Sequence, residues 1–240
     1  MDKPGLVITG SQGRIGRVLC SGLSDNFQIF GIDRRAGSKK SDFKMDIVNL
    51  PELGAVFEQI VKPGYLIHLA ADPNEFGEWG SILRNNIIGT HNIYECARIW
   101  NIPKVIFASS NHVTGSYEKY LRFRKRPIGI HDEVRPDGDY ATSKIFGEAT
   151  ARQYYELYGI KSICLRIGHV SANAKPDNDE RIRSLWLSHR DLLQLVQKSL
   201  EADINFGIYY GTSGNSNSFI EISHTRKDLG YEPMDDSTKS

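Results

Sequence analysis

Five short runs set the strongest limit on how this chain can fold. Leu6-Val7-Ile8-Thr9, Ile29-Phe30-Gly31-Ile32, Tyr65-Leu66-Ile67-His68-Leu69, Lys104-Val105-Ile106-Phe107 and Ser162-Ile163-Cys164-Leu165 each have strand length and are apolar at consecutive positions. A strand with one face in water alternates apolar and polar residues, so strands apolar throughout must be covered on both faces. Helical stretches at 13–23, 50–61, 79–100, 140–158 and 189–202 lie between and after these runs and supply that cover. Asn101-Ile102-Pro103 closes the third of them, because proline cannot continue a helix. The alternation predicts an α/β fold built on a parallel, doubly wound sheet.

The 240 residues suit one domain with a sizeable core, or a cofactor domain carrying a small appendage. A formal net charge of +1 gives no electrostatic reason to expect nucleic acid or an anionic membrane as partner. No apolar run approaches the roughly 18 residues that a membrane span requires. Met1-Asp2-Lys3-Pro4 leads straight into the first strand and leaves no room for a signal peptide. Cys20, Cys96 and Cys164 are far apart within apolar stretches, the pattern of reduced core thiols in a cytoplasmic protein and not of a metal site. The basic cluster at 122–126 reads as a solvated loop, and the stretch at 211–218 as a polar Gly/Ser/Asn loop.

The first strand runs into Thr9-Gly10-Ser11-Gln12-Gly13-Arg14-Ile15-Gly16. Glycines at this spacing permit open backbone angles, close approach of a pyrophosphate, and tight packing of the next helix, whose N-terminus faces the phosphates. The second strand ends in Asp33, a carboxylate placed to accept hydrogen bonds from the adenosine ribose and to repel a 2′-phosphate. NAD is therefore favoured over NADP, although Arg34 and Arg35 follow at once and arginines there can bind a 2′-phosphate. Asp46 and Ile47 suit an adenine edge, with a helix cap as the competing reading of Asp46. Leu69, Ala70 and Ala71 leave space for a dinucleotide, and His68 before them reads as a satisfied core residue.

The fourth run leads into Ala108-Ser109-Ser110-Asn111-His112, and Tyr140-Ala141-Thr142-Ser143-Lys144 opens a helix thirty residues past Ser110. Tyr140 and Lys144 at i, i+4 share one helical face. An ammonium there is expected to lower the phenol pKa from its usual value of about 10, making Tyr140 a general base.

These motifs together resemble the extended short-chain dehydrogenase/reductase superfamily, the NAD-dependent epimerases and dehydratases. The resemblance runs through residues 9–16, Asp33, 46–47, 68–71, 85–89, 107–110 and 140–144. Within the superfamily, residues 85–89, 108–112, 135–138, 143–148 and 185–189 are similar to stretches of uronate dehydrogenases and related sugar dehydrogenases. The resemblance covers nearly the whole chain. It implies a Rossmann-type NAD-binding domain over 1–165 with Ser110, Tyr140 and Lys144 as catalytic residues. It also implies a small substrate-binding region over 166–240 that is not an independent domain.

The implied reaction is oxidation of a sugar hydroxyl, at C1 of an acidic sugar such as a uronate, to give a lactone. Tyr140 would take the hydroxyl proton while hydride passes to the nicotinamide. Lys144 would hold the nicotinamide ribose, Ser110 the reacting oxygen, and Asn111 and His112 neighbouring hydroxyls. Arg181 matches the family's carboxylate-holding arginine, its fork being suited to bidentate pairing. The competing reading is a surface arginine paired with Asp177, Asp179 or Glu180. Asn86 joins the cofactor-site candidates, with a structural role or a place in a proton path as its other readings. Family members commonly dimerise through the helices after Asn85 and Tyr140, which implies a homodimer.

One stretch departs from the pattern. Asp72-Pro73-Asn74-Glu75-Phe76-Gly77-Glu78-Trp79 carries two extra acids, Glu75 and Glu78, where a uronate dehydrogenase offers a small hydroxylated residue. A sugar-phosphate dehydrogenase, of the glucose-6-phosphate type, and an epimerase or dehydratase with tightly bound NAD remain as alternatives. The short tail after Arg166 and the Asn111-His112 pair count against the last.

Overall fold

A computed structural model describes residues 3–60, 63–123 and 126–239. Part of the basic cluster at 122–126, the end of the expected 50–61 helix and the first two residues lie outside the described residues. Seven parallel strands form one sheet in the order β3-β2-β1-β4-β5-β6-β7. They are β1 (Gly5–Thr9), β2 (Gln28–Asp33), β3 (Asp42–Lys44), β4 (Pro63–His68), β5 (Lys104–Ser110), β6 (Lys161–Ile167) and β7 (Phe206–Gly211). The sheet is doubly wound, as expected. Periodicity missed β3, which is three residues long, and β7, whose run Phe206-Gly207-Ile208-Tyr209-Tyr210-Gly211 is broken by glycine. The stretch after residue 165 thus contributes a strand to the common sheet.

The continuous apolar runs are explained by two separate cores. Leu6 and Ile8 of β1 pack on one face with Leu19, Leu192, Leu195 and Val196 from α1 (Arg14–Gly22) and α7 (His189–Glu201). Val7, between them in sequence, packs on the other face with Leu53, Ile93, Tyr94 and Tyr154. Those residues come from α2 (Leu50–Phe57), α4 (Gly89–Ile99) and α5 (Asp139–Tyr158). Gly147 of α5 is needed for that second layer, since a Cβ there would lie 2.1 Å from the Phe107 ring of β5. A side chain would push the helix bearing Tyr140 and Lys144 off the strand bearing Ser110.

The expected 79–100 helix is three segments in series. α3 (Trp79–Ile82) passes into a π-helical stretch (Leu83–Ile88) and then into α4. Asn85 and Asn86 are both buried in this stretch. A 3-10 segment (Asn111–Phe123) follows β5, and α6 (Glu180–Ser184) and α8 (Ser223–Leu229) complete the chain. No helix among the described residues is long and apolar enough to cross a membrane. Cys96 and Cys164 are buried, Cys20 is partly so, and all three are free thiols.

Candidate active site

All seven strands end on the same edge. β1 is the switch point, with β2 and β3 on one side and β4 to β7 on the other. Ligands of such sheets bind in the crevice that opens there. A cleft of about 880 Å³ occupies this place. The register pairs Thr9 with His68 and Ser110 with Ile167, so the glycine loop and the ends of β4, β5 and β6 all reach it.

The adenosine side is built from the glycine loop. Gly10 has φ +72°, and a Cβ there would lie 2.8 Å from the backbone nitrogen of Ala70, so no side chain can be accommodated. Thr9 locks the same corner, its hydroxyl accepting from the amides of Leu69 and Ala70 at 3.2 and 3.3 Å. With both lone pairs engaged, that hydroxyl donates to His68 Nδ1 at 2.8 Å, and His68 Nε2–H donates to Thr90 at 3.1 Å. His68 is therefore the core residue expected, and burial followed by the charge of Lys144 pushes its pKa down to about 3.

The sign of the resulting pH dependence follows. Between the ordinary pKa of 6.5 and about 3, the unfolded chain binds a proton at His68 that the folded chain refuses. Stability falls as pH drops through this window, by up to about 1.4 kcal/mol per pH unit from this residue. Urea midpoints between about pH 7 and pH 4 are expected to lose part of their slope in His68→Gln. An unchanged slope would assign the acid sensitivity elsewhere.

Asp33 lines the cleft with its carboxylate largely shielded. Oδ2 accepts from the amide of Gln12 at 2.9 Å, and Oδ1 accepts from the amide of Arg35 at 2.9 Å and its Nε at 3.4 Å. Arg35 is thereby drawn to Asp33, while Arg34 also lines the cleft. Asp46 accepts from the amide of Val48 at 3.2 Å and pairs with Arg84 at 2.9 Å; the cap of α2 is Asn49. Gly13, Arg14, Ile15, Gly16, Ile47, Leu69 and Ala71 line the cleft as well. Arg14 donates to the carbonyl of Val170 at 2.8 Å, tying the loop to the segment after β6.

The N-terminus of α1 has no capping side chain and opens beside this loop, so its amides are open to a phosphate. The uncapped helix, the side-chain-free corner at Gly10 and the carboxylate of Asp33 fit NAD.

Two candidates stand apart from the cleft wall. Gln12 contributes its backbone to Asp33. Asn86 is buried and works as a clamp: its Oδ1 accepts from the amide of Asp72 at 2.7 Å, and Nδ2 donates to Ser143 at 2.9 Å and to the Asp72 carbonyl at 3.2 Å. Ser143 donates to the carbonyl of Tyr140 at 2.6 Å, so Asn86 connects the 72–79 loop to the first turn of α5.

On the reaction side, Ser110, Asn111, His112, Tyr140, Lys144 and Arg181 all line the cleft. Ser110 accepts from the amide of His112 at 3.3 Å and lies near enough to Tyr140 to favour its ionised form. Lys144 donates to the carbonyl of Ala108 at 2.8 Å, and its ammonium lies 5.5 Å from the centre of the Tyr140 ring. Burial brings Lys144 down to about 8.

The expectation that Lys144 lowers the Tyr140 pKa is not met in this geometry. Burial raises the phenol, Ser110 lowers it, and Glu75, Asp137 and Asp72 raise it further. The ammonium is directed at a backbone carbonyl while three carboxylates act on the phenol.

His112 lies between two of those acids, 2.7 Å from Asp137 and 3.1 Å from Glu75. Burial alone would lower its pKa, but the carboxylates outweigh burial and hold the imidazole above its ordinary value. The Nδ2 group of Asn111 is buried with no partner among the described residues, a donor left open for a ligand. Arg181 pairs with none of the acids named from sequence. Its Nε contacts Glu118 Oε2, and its Nη2 donates to Glu118 Oε1 at 3.0 Å. Asp179 caps α6 by accepting from the amide of Ile182.

Sequence reasoning missed Glu118, the pairing of Asp137 with His112, and His169, which also lines the cleft. Asp137 had a local signal, lying three residues before Tyr140. Glu118 had none, since its partner is 63 residues away.

Comparison with known proteins agrees with this geometry. The model of the NAD dependent epimerase/dehydratase family matches residues 6–192. An NAD-dependent glucose-6-phosphate dehydrogenase from Haloferax volcanii is 33% identical over all of this chain and 96% of its own length. A uronate dehydrogenase from Agrobacterium fabrum is 32% identical over 97% of this chain and 85% of its own length. The crystal structure of a uronate dehydrogenase mutant from Agrobacterium tumefaciens, complexed with NAD, superposes with a TM-score of 0.85 at 27% identity. That superposition covers 99% of this chain and 87% of the other. Sheet order, dinucleotide corner and Ser/Tyr/Lys constellation thus meet in one assignment: this chain belongs to the NAD-dependent epimerase/dehydratase family.

Proposed function

We propose that the protein oxidises the anomeric hydroxyl of an acidic sugar, such as a uronate, to a lactone with NAD as acceptor. The observation that carries this reading is the presence of Arg181 in the same cleft as Ser110, Tyr140 and Lys144. When bound, NAD takes up a hydride from the sugar carbon. Tyr140 accepts the hydroxyl proton, Ser110 holds the reacting oxygen, and Lys144 draws the nicotinamide ribose to the end of β5. Asn111 donates to a neighbouring sugar oxygen, His112 with its two carboxylate partners borders the sugar, and Arg181 holds the carboxylate. Residues 1–165 carry NAD and the reacting groups, and residues 166–240 supply Arg181.

The uronate dehydrogenase relatives support this substrate class. A sugar phosphate is the second reading, because the guanidinium of Arg181 serves a phosphate equally well.

Adding uronates, sugar phosphates and neutral aldoses in turn, with NAD and with NADP, tests the proposal through NADH appearance. An epimerase recycles its NAD and would give no net signal. For Arg181→Ala, the KM for acidic sugars is expected to rise about tenfold or more while neutral sugars change little. Equal shifts on both would remove Arg181 from the substrate site. We also propose a cytoplasmic homodimer. The exposed Ile88, Ile99, Leu157 and Tyr158 on the helices after Asn85 and Tyr140 support the dimer.

A further inference from the structure

Arg181 has a carboxylate partner already. Glu118 takes the Nε/Nη2 edge of the guanidinium with both of its oxygens, the bidentate geometry an acidic substrate would seek. Only the end-on Nη1/Nη2 edge is left for a second anion, with the negative charge of Glu118 beside it. The pair is anchored from the Glu118 side, whose side chain is 16% exposed against 42% for Arg181. Glu118 lies in the 3-10 stretch that follows Ser110, beyond its kink at Thr114. His112 offers no substitute cation, because Asp137 and Glu75 both engage it.

We propose that Glu118 is an internal counter-anion that a substrate carboxylate must displace from Arg181 or share it with, and that it thereby limits the preference for acidic over neutral sugars. The inference rests on Arg181 as the anion holder. Glu118 touches no reacting atom and acts through Arg181, which makes it a positioning residue. The same competition would meet a phosphate, so the sugar phosphate is a separate arm of the test.

The experiment is steady-state kinetics with NAD on glucuronate, galacturonate, glucose 6-phosphate and glucose. It compares wild type, Glu118→Gln, Glu118→Asp, Arg181→Ala and the Glu118→Gln/Arg181→Ala double variant. In Glu118→Gln the ratio of the uronate KM to the glucose KM is expected to fall about fivefold, the worth of a half-exposed ion pair. The kcat values should move less than KM. Glu118→Asp, still anionic but a methylene short of Arg181, should shift the ratio in the same direction by less. The gain should vanish in the double variant. A ratio that stays or rises in Glu118→Gln, or a gain that persists without Arg181, overturns the proposal. A fall confined to glucose 6-phosphate supports it with phosphate as the anion. If wild type oxidises only glucose, the acidic-sugar reading fails. In that case uronate oxidation appearing in Glu118→Gln still supports the role of Glu118, and its absence overturns it.

Discussion

Tyr140→Phe is expected to cut turnover by about 10²- to 10⁴-fold, the usual worth of a positioned general base, while leaving NAD affinity as it is. Phenylalanine keeps the ring edge-on to His112, at 5.9 Å between centroids, so the cleft keeps its shape. What is lost is the phenol oxygen on the Ser110 side of the cleft. Burial and the neighbouring carboxylates Glu75, Asp137 and Asp72 favour the protonated phenol, so wild-type kcat/KM for oxidation should climb toward alkaline pH. Single-turnover kinetics with NADH fluorescence separates the loss of chemistry from any change in NAD binding. Wild-type turnover in the variant would take Tyr140 out of the reaction.

The second large effect is on stability. Behind the reacting residues, Arg166 of β6 pairs with Glu148 of α5 through Nε and Nη2, both at 2.9 Å, with each side chain at most 5% exposed. Ser109 donates to the same carboxylate at 2.6 Å, and Arg166 Nη1 donates to Tyr210 at 3.3 Å. Arg166→Met strands a buried carboxylate and is expected to cost about 3–5 kcal/mol. The Glu148→Met/Arg166→Met double variant should recover much of that loss, because two apolar side chains leave no uncompensated charge. Urea unfolding of both variants checks this. A double variant no more stable than the single one would show that the pair itself stabilises the fold. The network joins β5 to α5, so Arg166→Met should also lower kcat by loosening Ser110 against Tyr140.

Much of this architecture could be read from sequence because its signals are local. Leu6-Val7-Ile8 declares a strand covered on both faces, and the glycines at 10, 13 and 16 declare the dinucleotide corner. Ser110, Tyr140 and Lys144 stand out through their spacing and reach one cleft. Other features depend on contacts between distant segments. Nothing near Glu118 points to Arg181, and nothing near Arg166 points to Glu148. The π-helical turn at 83–88 was hidden because helical periodicity cannot register one extra residue per turn. The sign of the Tyr140 shift was misjudged because i, i+4 spacing shows that Lys144 is near but not that it points to Ala108. The acids acting on Tyr140 come from a loop and from the residues just before α5.

The cleft draws its two halves from unlike material. The corner at Gly10, Thr9 and Ala70 is fixed by sheet register, backbone contact and a buried histidine. The side proposed to take the sugar draws on the 72–79 loop, the 3-10 segment and the short α6, outside the seven-strand ladder. Under the proposed function, substitutions at Glu118 or Arg181 would therefore retune substrate choice while Ser110, Tyr140 and Lys144 stay in place. On that proposal, a laboratory library confined to these three segments would vary sugar choice without touching the strands that carry the dinucleotide corner.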